Sequence, residues 1–138
     1  MSKSNTYEND LLLLYFNATA ISSIAANSGS PATNLYVALF TADPTDTASL
    51  TNECAYTGYA RVAVARSGSG WTVTGNSCSP AANIDFPQCT AGTETATHFG
   101  ISRTIGGNPD YVGTITPNIS ISNGVIPRLT TASTVTED

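Results

Sequence analysis

Short apolar runs that end at turn-forming residues constrain the fold of this chain more than any other feature of its sequence. The first run, Leu35–Thr41, stops at an Ala-Asp-Pro segment, and Asp and Pro are residues that favour turns. Short strands at near-regular spacing, separated by turn signals, are typical of a β-sandwich or a barrel. The eight candidate strands are Leu35–Thr41, Tyr59–Arg66, Gly70–Thr74, Ala82–Phe86, Thr97–Arg103, Tyr111–Thr116, Asn118–Ser122 and Val125–Leu129.

The segments between these candidate strands lack a long helical pattern that could cross over a parallel sheet, so the sheets are predicted to be mainly antiparallel. Asn123-Gly124 predicts a hairpin turn between the last two candidates, because both residues accept a positive φ. Gly106-Gly107-Asn108 predicts another reversal. The segment Thr130–Thr136 is either a final edge strand or a tail.

One substantial helix is predicted near Asn5–Asn17. Asn5 or Thr6 would cap it, and Glu8 lies in its first turn, where a negative charge is favourable. Its apolar segment is too apolar all round for an ordinary surface helix, so we expect the domain to cover one side and another chain to cover the other. A helix sunk wholly into its own domain is the alternative. The candidate partner-binding residues are Leu11, Leu12, Leu13, Leu14, Tyr15 and Phe16.

The 138 residues suit one compact unit. We divide them into an N-terminal helix with a connecting arm, residues 1–34, and a β-sandwich domain, residues 35–138. Within the arm, residues 18–33 are small and polar. The predicted fold class is mainly β: an antiparallel, jelly-roll-like β-sandwich of about eight strands with one N-terminal helix.

Charge excludes several classes of partner. Only 11% of the residues are charged, against about 25% in typical domains, and the net charge is −5. Nucleic-acid affinity depends largely on Lys and Arg, so nucleic acid is not expected as a partner. A basic cluster and an apolar run of about 20 residues are both absent, so no membrane partner is expected either.

The cysteines and the N-terminus bear on where the protein is made. Cys54, Cys78 and Cys89 show neither metal-site spacing nor an even count. Three reduced, buried thiols are the favoured interpretation, and a single Cys78–Cys89 or Cys54–Cys89 bridge is the alternative. Because no signal peptide is recognisable, we expect synthesis in a bacterial cytoplasm.

The sequence offers no recognisable catalytic, cofactor or metal site. His98 is the single histidine and is interpreted as a half-buried, hydrogen-bonded imidazole in a strand. A nucleophile elbow of the Gly-x-Ser-x-Gly type is missing. Arg61 is expected to bind carboxylates or loop carbonyls at a strand end. We therefore expect no enzyme and no cofactor.

Two sets of carboxylates and one set of aromatic residues were considered as sites. Calcium binding in the Asp43–Glu53 loop is disfavoured because the EF-hand spacing is missing. Glycoside hydrolysis would need two facing carboxylates, and nothing in the sequence pairs Asp85, Glu94 and Asp110. Trp71 follows a Gly-Ser-Gly turn and is expected to be more exposed than the tyrosines at strand positions. An exposed row of aromatic residues around Trp71 would indicate a carbohydrate-binding module.

Five phrases carry a family resemblance as a set, in matching order over nearly the whole chain. Together they resemble small virion proteins of tailed bacteriophages, described as tail fibre-like or as head decoration (cement) proteins. The resemblance implies a β-sandwich virion component without a known active site. The phrases are Ser4-Asn-Thr-Tyr-Glu-Asn-Asp-Leu-Leu12, Leu35-Tyr-Val-Ala-Leu-Phe-Thr-Ala-Asp-Pro44, Gly58-Tyr-Ala-Arg-Val62, Ala96-Thr-His-Phe-Gly-Ile101 and Asn123-Gly-Val-Ile-Pro-Arg-Leu129.

The leading hypothesis from sequence is a non-enzymatic capsid decoration or cement protein that stabilises the phage head by protein–protein contacts. Its partners would be the major capsid protein or other virion proteins and further copies of itself, with trimers as the favoured cluster. The expected location is the virion, and the capsid surface is favoured over the tail. A tail or fibre component and a carbohydrate-binding adhesin module are the alternatives.

Overall fold

The computed structural model describes residues 3–21 and 31–137. These residues contain one helix, α1 (Asn5–Asn17), and nine strands, all of them paired antiparallel. The predicted helix and the predicted antiparallel pairing are both confirmed. The strands are β1 (Asn34–Phe40), β2 (Val62–Ala65), β3 (Trp71–Thr74), β4 (Ser77–Pro80), β5 (Ile84–Asp85), β6 (Glu94–Ser102), β7 (Tyr111–Ile121), β8 (Arg128–Leu129) and β9 (Val135–Thr136).

The ends of α1 are fixed by its main chain and one serine. Ser4, which has extended geometry, caps the helix, and its Oγ accepts a hydrogen bond from the N–H of Tyr7 over 3.3 Å. The predicted cap at Asn5 or Thr6 is therefore wrong by one or two residues, because both already belong to the helix. At the other end, Ala18 adopts a left-handed φ of 57°. With 13 residues, α1 lacks the length and apolarity to cross a membrane.

The largest sheet has four strands in the order β2-β1-β6-β7. Its central strand β1 is nearly continuously apolar, as expected for a strand that has neighbours on both edges and a core beneath it. β7 forms one edge and includes Pro117, which needs no ladder partner for its nitrogen there. The two candidates Tyr111–Thr116 and Asn118–Ser122 are thus one strand, which corrects the prediction of two.

A three-stranded sheet, β3-β4-β9, faces the large sheet, and β5 and β8 form a separate pair. β4 was not predicted, because its Ser-Cys-Ser-Pro sequence has little strand propensity. It forms because the chain reverses at Gly75, which has a φ of 61°, and returns along β3. β9 resolves the alternative for Thr130–Thr136 in favour of a short edge strand.

The turn at Asn123-Gly124 forms as predicted, but the hairpin that it was expected to close does not. The N–H of Val125 donates to the carbonyl of Ser122 over 3.0 Å, and Gly124 has a φ of 91°. The following strand, β8, pairs with β5 and not with β7. The pairing with β5 places Leu129 in the core, where only 2% of its surface is exposed. Burial of this apolar side chain favours the observed pairing.

The core lies between the sheets, where apolar residues of β1 and β6 meet those of β3 and β4. The predicted mainly β sandwich with one N-terminal helix is confirmed. Cys54, Cys78 and Cys89 are free and buried, as expected for reduced thiols. Part of the predicted arm, residues 18–33, lies outside the described residues, and the boundary between residues 34 and 35 stays a prediction.

Candidate functional site

The six candidate partner-binding residues of α1 fall into two groups. Leu12 and Phe16, four residues apart on one side of the helix, are fully buried against the chain's own sandwich. The Phe16 ring lies 4.8 Å from the Trp71 ring, centroid to centroid. Leu11, Leu13, Leu14 and Tyr15 are half-buried. The helix therefore uses one side for its own core and keeps part of its apolar surface in contact with solvent.

Trp71 is buried, with only 2% of its surface exposed. The expectation that it would be more exposed is wrong, because Phe16 packs on its ring and β4 pairs alongside. The sequence-based argument for a sugar-stacking platform depended on an exposed Trp71. That support for the carbohydrate-binding alternative is gone.

Tyr15 links the helix to the β6–β7 end of the large sheet. Its hydroxyl donates to Asp110 Oδ2 over 2.7 Å, and its ring meets that of Tyr111 edge-on at 5.0 Å. Burial, followed by the hydrogen bond to Asp110, raises the pKa of the Tyr15 phenol. Arg103 completes the arrangement with two hydrogen bonds to the Asp110 carboxylate, at 2.9 and 3.0 Å.

Arg66 holds the C-terminal end of α1. Its guanidinium donates to the carbonyl of Tyr15 over 2.6 Å, to the carbonyl of Leu14, and to the carbonyl of Ala32 over 3.2 Å. The last turn of α1 contains no basic residue of its own. A cation from β2's end of the sandwich therefore satisfies carbonyls that the helix leaves unpaired and interacts favourably with the helix dipole.

Arg61 organises the loops at one end of the large sheet, as predicted. It binds both carboxylate oxygens of Glu53, at 2.8 and 2.9 Å, and donates to Ser102 Oγ and to the carbonyl of Gly107. The Tyr59 hydroxyl donates to the same carboxylate over 2.8 Å. Burial alone would raise the pKa of Glu53, but the hydrogen bonds from Arg61 and Tyr59 hold it below its ordinary value.

The Glu94 carboxylate binds main-chain amides, and the Cys54 thiol lies near it. The Glu94 carboxylate accepts hydrogen bonds from the main-chain N–H groups of Ala55 and Tyr56, at 3.0 to 3.1 Å. Burial, reinforced by the nearby carboxylates of Glu94 and Glu53, raises the pKa of the Cys54 thiol to about 12. A thiol with that pKa is protonated at neutral pH and is not an activated nucleophile.

His98 lines an open groove of about 490 Å³, together with Asp43, Asp46 and Tyr111. It is half-buried, and its Nδ1 lies 2.8 Å from Thr97 Oγ1, so the predicted half-buried, hydrogen-bonded imidazole is confirmed. Asp43 Oδ1 accepts the N–H of Thr45 over 2.8 Å, which is ordinary turn geometry. Among residues 3–21 and 31–137, no three His, Cys, Asp or Glu side chains are grouped to hold a metal ion.

The three carboxylates considered for glycoside hydrolysis have separate partners. Asp85 pairs with Arg128, Glu94 accepts two main-chain amides, and Asp110 binds Tyr15 and Arg103. Each of the three carboxylates therefore has its own hydrogen-bond partners within the chain.

All five basic side chains of the protein have partners within the chain. Four form ion pairs and Arg66 binds the end of α1. The pairs are Lys3 with Glu137, Arg61 with Glu53, Arg103 with Asp110 and Arg128 with Asp85. The surface thus combines neutral polar side chains with negative charge that the protein does not neutralise.

Sequence reasoning did not find the contacts of Arg66 and the Tyr15–Asp110 hydrogen bond. The partners are separated by 52, 51 and 95 positions along the chain, so no local pattern brings them together. The one available signal was Arg66 itself, a rare cation directly after a strand in a chain with few charges.

A known protein family matches this chain over nearly its whole length. The chain matches the family model described as Podophage GP4 fiber I protein gp80 over residues 2–137. No curated protein sequence matches the chain. The family match spans nearly the entire chain, including the helix and all three described sheets. The chain belongs to the Podophage GP4 fiber I protein gp80 family, a family of tailed-phage virion proteins.

Proposed function

We propose that this protein is a fibre component of a tailed-phage virion and that it works through protein–protein contacts without catalysis. The observation that carries the proposal is the family match over residues 2–137, since the family's description names a fibre protein. This favours the fibre alternative over the capsid decoration function that the sequence analysis placed first. The structural roles of His98, Glu94 and Asp110 agree with a non-enzymatic protein.

The half-buried apolar residues of α1 are the proposed contact with another virion protein. Leu11, Leu13, Leu14 and Tyr15 keep solvent contact on a helix that is fixed by Arg66 and by the burial of Phe16. A rigid helix presents these side chains at little cost in conformational entropy. Since the contact would be apolar, attachment should persist at high salt, which screens charge-held partners.

Deletion of the gene, followed by complementation, tests the proposed location and role. We expect particles without the protein to keep stable, filled heads but to adsorb poorly to cells, and we expect antibody-linked gold to label the tail or its fibres. Complementation with the intact gene is the control. Particles that adsorb normally but lose their genome at a lower temperature would instead support the capsid decoration function.

Substitution on α1 tests the contact surface. Leu14→Gln should reduce the amount of protein in purified virions severalfold while leaving its thermal unfolding unchanged. Val112→Gln, on the exposed face of β7 at 37% exposure, makes the same kind of change away from the helix and should have no effect. Equal incorporation of both variants would contradict the proposed contact.

A further inference from the structure

The side of α1 that points away from the sandwich carries one acidic residue among apolar ones. Tyr7, Asp10, Leu11 and Leu14 follow the spacing i, i+3, i+4 and i+7, which places them on one face of a helix. Tyr7 is exposed, and the other three are half-buried. We call these four residues the outward row.

The buried row of α1 lies on the opposite side of the helix. Glu8, Leu12 and Phe16 are spaced by four residues, and all three are buried. Because successive residues of an α-helix are rotated by about 100°, the outward row faces away from these residues and therefore from the core. The contacts of Arg66 and the packing of Phe16 hold the helix in this orientation. The outward row is therefore presented by a helix with a fixed orientation.

Asp10 lies in the middle of the outward row and differs from other carboxylates of the protein. Within the part of the chain that the structure describes, its carboxylate has neither a hydrogen-bond donor nor a cation as a partner. Asp85 and Asp110, by contrast, each bind an arginine. An apolar surface that covers Asp10 has to bring a positive charge, because a buried charge without a partner is costly.

A second copy of the chain does not meet this requirement. All five of its lysine and arginine side chains are engaged within the chain, so a second copy would have to give up one of its own contacts to supply a cation. A two-fold pairing of outward rows would also bring two Asp10 carboxylates together at the centre of the contact. Like charges that meet in an interface oppose association. Charge therefore favours a different protein as the occupant.

We propose that the outward row binds an apolar patch of a different virion protein, and that a lysine or arginine within this patch pairs with Asp10. Helices that present anchors at i, i+3, i+4 and i+7 are commonly bound in apolar grooves, and this row spans about 10 Å. The inference rests on the proposed function and adds the charge of the partner and the residue that sets its position. An ion pair enclosed by apolar side chains is screened little by salt, so attachment at high salt is still expected.

Incorporation of charge variants into virions tests the inference. The gene deletion is complemented with each variant, and mass spectrometry counts the copies in purified particles. Asp10→Lys should reduce the copies per virion by about tenfold or more, because two positive charges would meet in the contact. Asp46→Lys makes the same change in an exposed loop and should be incorporated as the natural protein is. Normal incorporation of Asp10→Lys would overturn the inference.

Leu14→Gln separates this inference from the proposed contact on α1. If Leu14→Gln reduces incorporation but Asp10→Lys does not, the apolar contact stands and the pairing of Asp10 with a cation is wrong. If neither variant reduces incorporation, both the proposed contact and the inference are wrong. Virions that never contain the natural protein would overturn the fibre function as well.

Two further measurements address a second copy and folding. Sedimentation velocity should give the same mass for the natural protein and for Leu14→Gln. An oligomer that Leu14→Gln dissociates would identify a second copy as the occupant and would overturn the inference. Thermal unfolding checks each purified variant. If Asp10→Lys does not fold, Asp10→Asn, which has nearly the same shape, decides the question: its incorporation should fall severalfold, and normal incorporation would overturn the inference.

Discussion

The Tyr15 hydroxyl donates a hydrogen bond to Asp110 over 2.7 Å, and this contact joins two residues that lie 95 positions apart in the chain. It is the point at which the N-terminal helix meets the β6–β7 end of the sandwich. The contact lies beside the half-buried apolar side of α1 that we propose as a binding surface. Loss of this bond should therefore loosen the helix without unfolding the sheets.

Tyr15→Phe should lower the free energy of unfolding by about 0.5–1.5 kcal/mol, the usual net value of one hydrogen bond. The ring keeps its packing against Tyr111, so no cavity forms. Urea denaturation followed by circular dichroism measures the change. Tyr7→Phe, at a position that is 38% exposed, is the control and should be neutral. Equal stability of both variants would show that the Tyr15 hydroxyl contributes nothing.

Arg66→Met should destabilise the protein by about 1–3 kcal/mol, because the carbonyls of Leu14, Tyr15 and Ala32 each lose a charged donor. Methionine keeps most of the aliphatic packing, so the loss reports on the hydrogen bonds. Arg128→Met, which removes an exposed ion pair with Asp85, is the matched control and should change stability little. Thermal and urea unfolding of the two variants measure the difference.

The stability contribution of Glu53 should depend on pH. Its pKa is depressed in the folded state, so the contribution is present above the ordinary carboxylate pKa of 4.5 and is lost as the pH falls through the depressed value. Glu53→Gln should therefore be clearly less stable than the natural protein at pH 7, and the difference should shrink below about pH 4. Urea titrations at pH 7, 5 and 3 measure this trend. Asp46→Asn, in the exposed β1–β2 loop, should leave stability nearly unchanged at neutral pH.

Gly100→Ala should cost roughly 1–3 kcal/mol through overpacking. A Cβ at residue 100 would lie 2.8 Å from Pro109 Cβ and 2.9 Å from Phe40 Cε2, both of which belong to buried residues. Gly106→Ala, at the tip of the β6–β7 loop, meets no atom within 4 Å and should be tolerated. Differential scanning calorimetry compares them, and similar melting temperatures would contradict the expected crowding at Gly100.

The three cysteines should resist modification in the folded state. All are buried, and burial raises the pKa of the Cys78 thiol to about 12. A thiol-specific chromogenic disulfide reagent should therefore react slowly with native protein and with three thiols per chain in denaturant. Fast reaction of the native protein would show that a thiol is accessible.

The sequence pattern was sufficient to predict those elements whose structure follows from the preferences of their own residues. α1 and β1 were predictable because each is a long apolar run with clear ends. β4 was missed because its Ser-rich strand is stabilised by neighbours on both edges and has little propensity of its own. β8 was assigned the wrong partner because the pairing depends on burial of Leu129, which only the folded chain determines.

The candidate site shows the same division. The sequence identified the apolar segment of α1 but could not decide which of its residues face inward, since four consecutive leucines present no preferred side. In the structure Phe16 packs on the buried Trp71 ring, and Leu12 is buried on the same side of the helix. This side of α1 therefore faces the core. Long-range contacts such as Arg66 with the end of α1 leave no trace in local spacing.

The internal pairing of all five basic side chains has a consequence for the behaviour of whole particles. A surface whose five lysine and arginine side chains are all engaged within the chain gains little from indiscriminate attraction to the polyanions that cover bacterial envelopes and fill lysates. Particles bearing many copies would repel one another weakly and would not be trapped on debris. Binding by such a surface would depend on shape and hydrogen bonding, which discriminate between targets, and not on bulk charge, which does not.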